Sequence, residues 1–209
     1  MKRSRTPWLF PMLLAPLLLA GPAAADEGGA MIGTPVVLRP AASPTGAVVL
    51  FSGAGGWGEE ERQLGQSLTG QGLLVIGIDL PATVARMAPA TDPCVTLVWE
   101  VEEASHRIQR DMALPSYHFP ALAGAGVGAS MALAVAAQAS VTTFSRIVTA
   151  DPDGVLPAGK PLCPVESGNA VPWPAAARPF PVSVLLTPAA SASSRAFAAT
   201  LGKDHVSAV

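Results

Sequence analysis

The stretch Leu122-Ala123-Gly124-Ala125-Gly126-Val127-Gly128-Ala129-Ser130 decides how this chain is expected to fold. A short apolar run precedes the glycines, and the alanine-rich segment 129–139, which predicts a helix, follows them. Glycine permits backbone conformations and close approaches that a side chain would block. The stretch therefore predicts a sharp turn from a strand into a helix.

Further apolar runs alternate with helical patterns along the 209 residues. The predicted strands are residues 47–51, 73–78, 119–123, 146–150 and 182–186, and the predicted helices are residues 59–70, 97–112, 129–139 and 193–201. Short apolar strands separated by helices are typical of parallel βαβ units with both faces of the sheet covered. We therefore predict an α/β fold, doubly wound around a mostly parallel sheet of five or six strands.

Residues 1–25 predict a secretory signal peptide. Three cations precede an apolar run over residues 8–19, and Ala23-Ala24-Ala25 supplies a cleavage site. No later run approaches the roughly 20 apolar residues that a spanning helix needs. We expect a single periplasmic domain over residues 26–209 with no transmembrane segment. Its 10 remaining basic residues of the original 13, against 15 acidic ones, exclude a basic nucleic-acid surface.

Cys94 and Cys163 are the two cysteines of the chain, and both lie in proline-containing segments. Export places them in an oxidising compartment, so we expect a disulfide between them, with two buried thiols as the alternative. Neither belongs to a CxxC motif, and no HxH motif is present. The sequence therefore predicts no metal site, and no cofactor is expected.

The glycine stretch has the spacing of a G-x-S-x-G nucleophile elbow, but it lacks the nucleophile. Gly124 and Gly128 take the flanking positions, and Gly126 stands where the serine would be. Ser130 lies one helical turn later and is expected to pack its helix against the sheet. A looser match is a dinucleotide-binding loop, with Asp151, 23 residues after Gly128, as the ribose-binding acid. That alternative makes the chain a secreted dinucleotide-binding protein.

A second glycine cluster follows the first long predicted strand. Its candidate ligand-binding residues are Ser52, Gly53, Gly55, Gly56 and Trp57. Backbone N–H groups in such a loop can form an oxyanion hole, as the glycine-rich loop of esterases does. The alternative is a turn that leads into the helix predicted from residue 59. The cluster lacks the GK[ST] sequence of a phosphate-binding P-loop.

Several of these segments together resemble the AcvB/VirJ family of bacterial virulence proteins. The similarity covers about residues 45–209 and is carried by the SGAGGW loop (52–57), GLLVIGID (72–79), DPCVTLVWEVEEASHRIQR (92–110) and the LAGAGVGAS turn (122–130). The resemblance implies an α/β-hydrolase-like domain, similar to the first, non-catalytic domain of the longer AcvB members. That family is periplasmic, associated with type IV secretion, and linked to hydrolysis of aminoacylated phosphatidylglycerol. In its catalytic copies a serine stands where Gly126 stands here.

The resemblance also implies partners: a catalytic second domain or another periplasmic protein, and a phospholipid-derived ligand. An α/β hydrolase places an acid after a late strand and a histidine after the last one. No acid directly follows the predicted strand 182–186, and His205 lies close to the end of the chain, so we expect the hydrolase-like fold to be incomplete at its C-terminus.

Two functional hypotheses follow from these residues. The first is a catalytically degenerate hydrolase scaffold with a binding or accessory role. The alternative is an active periplasmic serine esterase or lipid hydrolase. It would use Ser52 or Ser130 as nucleophile, with Asp151 and His205 as the remaining members of the triad.

Overall fold

The computed structural model describes residues 31–140, 142–164, 170–171, 180–202 and 205–208, so the predicted signal peptide lies outside the described residues. The strands are β1 (Val36–Leu38), β2 (Gly46–Phe51), β3 (Leu73–Ile78), β4 (Ala121–Ala125), β5 (Arg146–Ala150), β6 (Val182–Leu186) and β7 (Val206–Ala208). The helices are α1 (Glu59–Gly70), α2 (Leu80–Met87), α3 (Val98–Asp111), α4 (Val127–Ala137) and α5 (Ala192–Thr200).

The strands form one sheet in the order β1-β3-β2-β4-β5-β6-β7. β1 pairs antiparallel with β3, and every other pair is parallel. The predicted α/β class with a mostly parallel sheet is therefore confirmed. We call the end of the sheet where β2–β6 finish the carboxyl edge, and the end where they begin the amino edge.

The sheet has seven strands within the described residues, so the prediction of five or six was wrong. The two missed strands, β1 and β7, are the outermost strands and have three residues each. β1 is only half-buried, so its sequence lacks the continuous apolar run of a central strand. The fold was expected to be incomplete at its C-terminus, and in that part of the chain β7 follows α5 and pairs with β6.

The centre of the sheet is buried, and α4 packs against it. Every residue of α4 from Gly128 to Ala136 is buried, and all but one are apolar or glycine. A helix that is apolar on all sides belongs in a core. Beneath it, Leu122 of β4 and Ile147 of β5 are fully inaccessible to solvent. The small side chains of α4 let the helix lie close to the strands, which fixes the turn that connects it to β4.

The expected disulfide between Cys94 and Cys163 is confirmed, with Cα atoms 5.2 Å apart. It joins the segment after α2 to the segment after β5. The side chain of Gln138 binds the same two segments, since its Nε2 donates to the carbonyls of Val95 (2.9 Å) and Cys163 (2.8 Å). Its Oε1 accepts from the N–H of Leu97 at 2.8 Å. No helix among the described residues is long and apolar enough to cross a bilayer.

Candidate functional site

The turn between β4 and α4 lies at the carboxyl edge and has an unusual backbone at Gly126. Its φ of 54° and ψ of −121° lie in a region that L-amino acids rarely adopt. The Gly126 N–H donates to the carbonyl of Ala150 at 2.9 Å, which ties the turn to the end of β5. A Cβ built on Gly126 would meet no atom within 4 Å. The position thus has space for a side chain, although its backbone favours glycine.

The two flanking glycines are fixed by packing instead. A Cβ on Gly124 would lie 2.4 Å from the carbonyl carbon of Gly128. A Cβ on Gly128 would lie 2.5 Å from the carbonyl oxygen of Ser52 and 2.7 Å from that of Phe51. These neighbours are backbone atoms, which cannot rotate away. Gly124 and Gly128 therefore allow β4, α4 and the end of β2 to meet, as the glycines of a nucleophile elbow do.

The loop over residues 52–58 lies beside this turn, and two carboxylates hold it in place. The Glu61 carboxylate accepts from the N–H of Gly53 (3.0 Å) and of Gly58 (2.9 Å). The Asp79 carboxylate accepts from the N–H of Trp57 (2.8 Å) and of Ala82 in α2 (2.8 Å). The loop is thus ordered by charge-assisted hydrogen bonds.

These bonds also favour the ionised form of Glu61. Burial of the carboxylate raises its pKa, and the N–H groups of Gly53 and Gly58 lower it by more, so that the pKa lies below its usual value of 4.5. The carboxylate therefore keeps its charge at neutral pH. The loop also leads into α1, as one of the two interpretations predicted, because the Glu61 side chain, in the first turn of the helix, accepts from the N–H of the N-cap residue Gly58.

Two N–H groups near the turn keep their donor capacity. Within the described parts of the chain, neither the N–H of Ala54 nor that of Val127 donates to an acceptor. Both residues line one cavity of about 420 Å³. The rest of its lining is apolar: Leu80, Pro81, Val84, Ala85 and Pro157. The residue after the nucleophile and a residue of the preceding glycine loop are the positions from which α/β hydrolases donate to an oxyanion.

Ser52, one of the two candidate nucleophiles, lies in the interior with 0% of its surface exposed. Its Oγ donates to the carbonyl of Gly53 at 3.2 Å and accepts from the N–H of Leu80 at 2.9 Å. Both bonds hold the glycine loop against the start of α2. No histidine is among its partners.

Ser130, the other candidate, is also 0% exposed. Its Oγ donates to a carboxylate oxygen of Asp153 at 2.8 Å and accepts from the N–H of Gly154 at 3.2 Å. The serine thus connects α4 to the segment after β5. Sequence reasoning missed Asp153, although the DPD sequence after β5 places two acids at the carboxyl edge.

Asp151 directly follows β5, and its carboxylate is used to hold the chain after β6. It accepts from the Thr187 N–H at 2.8 Å and from the Thr187 hydroxyl at 2.5 Å. Its backbone has a positive φ of 49°, and its carbonyl accepts from the Ser194 hydroxyl. The structure does not pair Asp151 with Ser52, Ser130 or a histidine. Its two acceptor oxygens have a structural role.

The three histidines lie away from the turn. His205 precedes β7, where Val206 is level with Val184 in β6. Strand spacings then put His205 about 15–20 Å from Gly126. His118 precedes the amino end of β4, and His106 stacks on Tyr117 beside it. The candidate triad of the esterase alternative is therefore not assembled. The described residues also contain no cluster of acids, cysteines and histidines that could hold a metal.

Comparison with known proteins finds similarity in structure alone. No protein-family model matches the chain, and no curated protein matches it. A thioesterase domain of NocB, in a covalent complex with a fluorophosphonate nocardicin G analogue, is 16% identical, with a TM-score of 0.50 over 84% of this chain and 88% of that one. The esterase domain of a Rhodothermus marinus protein is 13% identical, with a TM-score of 0.49 over 84% and 80% of the two chains.

A thermostable carboxyl esterase from Bacillus coagulans is 14% identical, with a TM-score of 0.44. The match covers 55% of this chain and only 38% of the esterase, so the chain spans well under half of that protein. At these identities the similarity concerns the fold. Together with the sheet order and the glycine turn at the end of β4, the match to the NocB domain shows an α/β-hydrolase fold.

Proposed function

We propose that this protein is a hydrolase scaffold that binds a ligand without cleaving it. The observation that carries the proposal is Gly126, which occupies the nucleophile position with the backbone of an elbow and has no side chain. Two further observations support the same conclusion: Ser52 and Ser130 are buried, and His205 lies far from Gly126. Without a nucleophile, only the residual rate enhancement from binding and oxyanion contacts is expected.

The ligand that fits best carries an acyl chain and a carbonyl or carboxylate oxygen. The N–H groups of Ala54 and Val127 offer two donors for that oxygen. The adjoining cavity of about 420 Å³ is lined by apolar side chains suited to a hydrocarbon chain. A phospholipid-derived ligand, as the resemblance to the AcvB/VirJ family implies, has this chemistry.

The setting that we propose is the periplasm. A disulfide persists in oxidising compartments, and the Cys94–Cys163 bond fits the export that the N-terminal sequence predicts. An accessory role beside a catalytic second domain or another periplasmic protein, as in the AcvB/VirJ family with its link to type IV secretion, is part of the proposal.

Activity assays on the purified protein test the absence of catalysis. We expect no turnover of p-nitrophenyl butyrate or aminoacylated phosphatidylglycerol above the rate without protein, and no labelling by a fluorophosphonate probe. The matched variants are Ser52→Ala and Ser130→Ala, assayed at temperatures where each remains folded. Turnover or labelling that disappears in either variant would establish the esterase alternative and overturn the proposal.

Ligand binding is tested with octanoate and the variant Ala54→Pro. Ala54 is the second residue of a turn closed by the Gly56 N–H and the Gly53 carbonyl, a position that favours proline. Proline removes the N–H donor there. We expect octanoate to raise the melting temperature of the wild type and of the control Ala54→Gly, which keeps the donor, and to bind Ala54→Pro about tenfold more weakly. Equal binding to all three proteins would contradict the assigned site.

A further inference from the structure

We propose a second ligand site, at the amino edge of the sheet, that binds a small aromatic carboxylate. A cavity of about 500 Å³ opens there, at the opposite end of the strands from Gly126. Its floor is formed by the first residues of β2, β3, β4 and β5, and its wall by the segment Tyr117–Phe119. This site is independent of the function proposed for the carboxyl edge.

Tyr117 and Phe119 form the aromatic wall, and a third ring, which does not line the cavity, packs against Tyr117. His106 of α3 stacks on Tyr117, with ring centroids 3.8 Å apart and planes 11° from parallel. Tyr117 meets Phe119 edge to face, with centroids 5.3 Å apart. Phe119 remains 48% exposed, although large apolar side chains are usually buried. The cluster holds Phe119 in place, so its exposed ring surface can receive a second planar ring at little cost in side-chain entropy.

Two polar side chains of the cavity have partners, since the hydroxyls of Thr45 and Tyr117 donate to the Gly72 carbonyl and to Ser105, whereas three others have none within the described part of the chain. The side chains of His118, Ser145 and Arg146 make no hydrogen bond or ion pair with any described residue. Arg146 is exposed at the start of β5, where it lines the same cavity as Phe119. In a chain with a formal charge of −2, an unpaired guanidinium beside an aromatic wall is a local positive site.

The donor chemistry selects the anion. The planar fork of a guanidinium matches both oxygens of a carboxylate, and an imidazole and a hydroxyl can donate further bonds. One acidic group close to these rings is Glu102, whose carboxylate lies 4.0 Å from the imidazole of His106. Neither Glu102 nor His106 lines the cavity, whereas Phe119 and Arg146 both do. The ligand's carboxylate therefore belongs at Arg146 and its ring at Phe119.

Titration of the protein with benzoate, followed by backbone amide NMR signals, tests this site. Acetate supplies the carboxylate without the ring, and benzyl alcohol supplies the ring without the charge. The variants are Arg146→Gln and Phe119→Ala, which change exposed side chains. Their matched controls are Arg62→Gln, which removes a cation from α1, and Leu64→Ala, which truncates a similarly exposed apolar residue (46%).

We expect benzoate to cause saturable changes in amide chemical shift centred on residues 45–48, 117–121 and 145–146, with a Kd on the order of 1 mM. Arg146→Gln should weaken binding about tenfold or more, because a charge-assisted pair is lost. Phe119→Ala should weaken it severalfold, and the two controls should bind as the wild type does. Acetate and benzyl alcohol should each bind far more weakly.

Three results would overturn the proposal. The first is no saturation with benzoate at concentrations about tenfold above the expected Kd. The second is saturable binding whose shifts lie around Ala54 and Val127 instead. The third is unchanged benzoate affinity in either Arg146→Gln or Phe119→Ala.

Discussion

We expect alanine at Gly128 to destabilise the protein more than alanine at Gly126, although backbone angles alone suggest the reverse order. Gly126 has the unusual φ of 54°, and a Cβ there meets open space. Alanine would cost about 1–3 kcal/mol in backbone strain, offset by about 0.4–1 kcal/mol from the stiffer unfolded chain. We therefore expect Gly126→Ala to lower the free energy of unfolding by about 1–2 kcal/mol.

Gly128 lies in ordinary helix, yet a Cβ there would lie 2.5 Å from the carbonyl oxygen of Ser52 and 2.7 Å from that of Phe51. Overpacking of a core typically costs about 1–3 kcal/mol and more where the neighbours cannot rotate. Since these neighbours are backbone atoms of β2 and its loop, we expect Gly128→Ala to cost at least about 3 kcal/mol.

Urea unfolding of the oxidised protein, followed by circular dichroism, measures both values. With a slope of about 2 kcal/mol per molar urea, Gly128→Ala should lower the midpoint by about 1.5 M or more, and Gly126→Ala by about half as much. Ser67→Ala, on the exposed side of α1, serves as the control for the substitution itself. A Gly126→Ala variant that is less stable than Gly128→Ala would refute the packing argument.

Three further measurements test the parts that support the site. Because ionisation of Glu61 is favoured in the folded state, its contribution to stability is present above the usual pKa of 4.5 and is lost as the pH falls through the lowered folded value. Glu61→Gln should therefore flatten the pH dependence of the unfolding free energy below about pH 4.5, and an unchanged profile would contradict this. Gln138→Ala should lower the free energy of unfolding by about 2–4 kcal/mol, because it leaves backbone groups unpaired. The control Gln71→Ala, which removes an exposed side chain with one hydrogen bond, should cost under about 1 kcal/mol. Equal losses in urea unfolding would show that the Gln138 bonds contribute little. The Cys94–Cys163 disulfide joins residues 69 apart and restricts the unfolded chain, so its reduction should cost about 4 kcal/mol of stability in the same assay. A loss below about 1 kcal/mol would show that this restriction does not stabilise the protein appreciably.

The central fold could be predicted from the sequence because its strands are buried on both faces. The expected strand over 73–78 coincides with β3, and the one over 182–186 coincides with β6. β1 could not be found in this way, since three half-buried residues at a sheet edge produce no periodic signal. α2 was missed as well, because its start depends on the Asp79 side chain accepting from the Ala82 N–H. That bond is a local contact which hydrophobic patterning does not report.

The glycine turn of the candidate site could be predicted from the sequence, but the hydrogen-bond partners of its polar side chains could not. The spacing of Gly124, Gly126 and Gly128 indicated an elbow, because glycines at that spacing relieve crowding at a turn from a strand into a helix. Ser130 is hydrogen-bonded to Asp153, and Asp151 is hydrogen-bonded to Thr187. These bonds join segments that are far apart in the chain, so the sequence pattern does not report them. The cavity at Arg146 and Phe119 was missed for the same reason, since four strands and a loop must come together to form it.

The geometry of the turn explains why glycine at position 126 suits a protein that performs no hydrolysis. Gly124 and Gly128 are required by backbone contacts, whatever the protein does. At Gly126 the surroundings would accept a serine, and only the backbone angles oppose it. A catalytic protein retains that strain because the exposed hydroxyl is needed for the reaction. Where no reaction uses the hydroxyl, glycine removes the strain and leaves the N–H of Val127 in position. The elbow then remains as a stable binding element, which is the role that we propose for it.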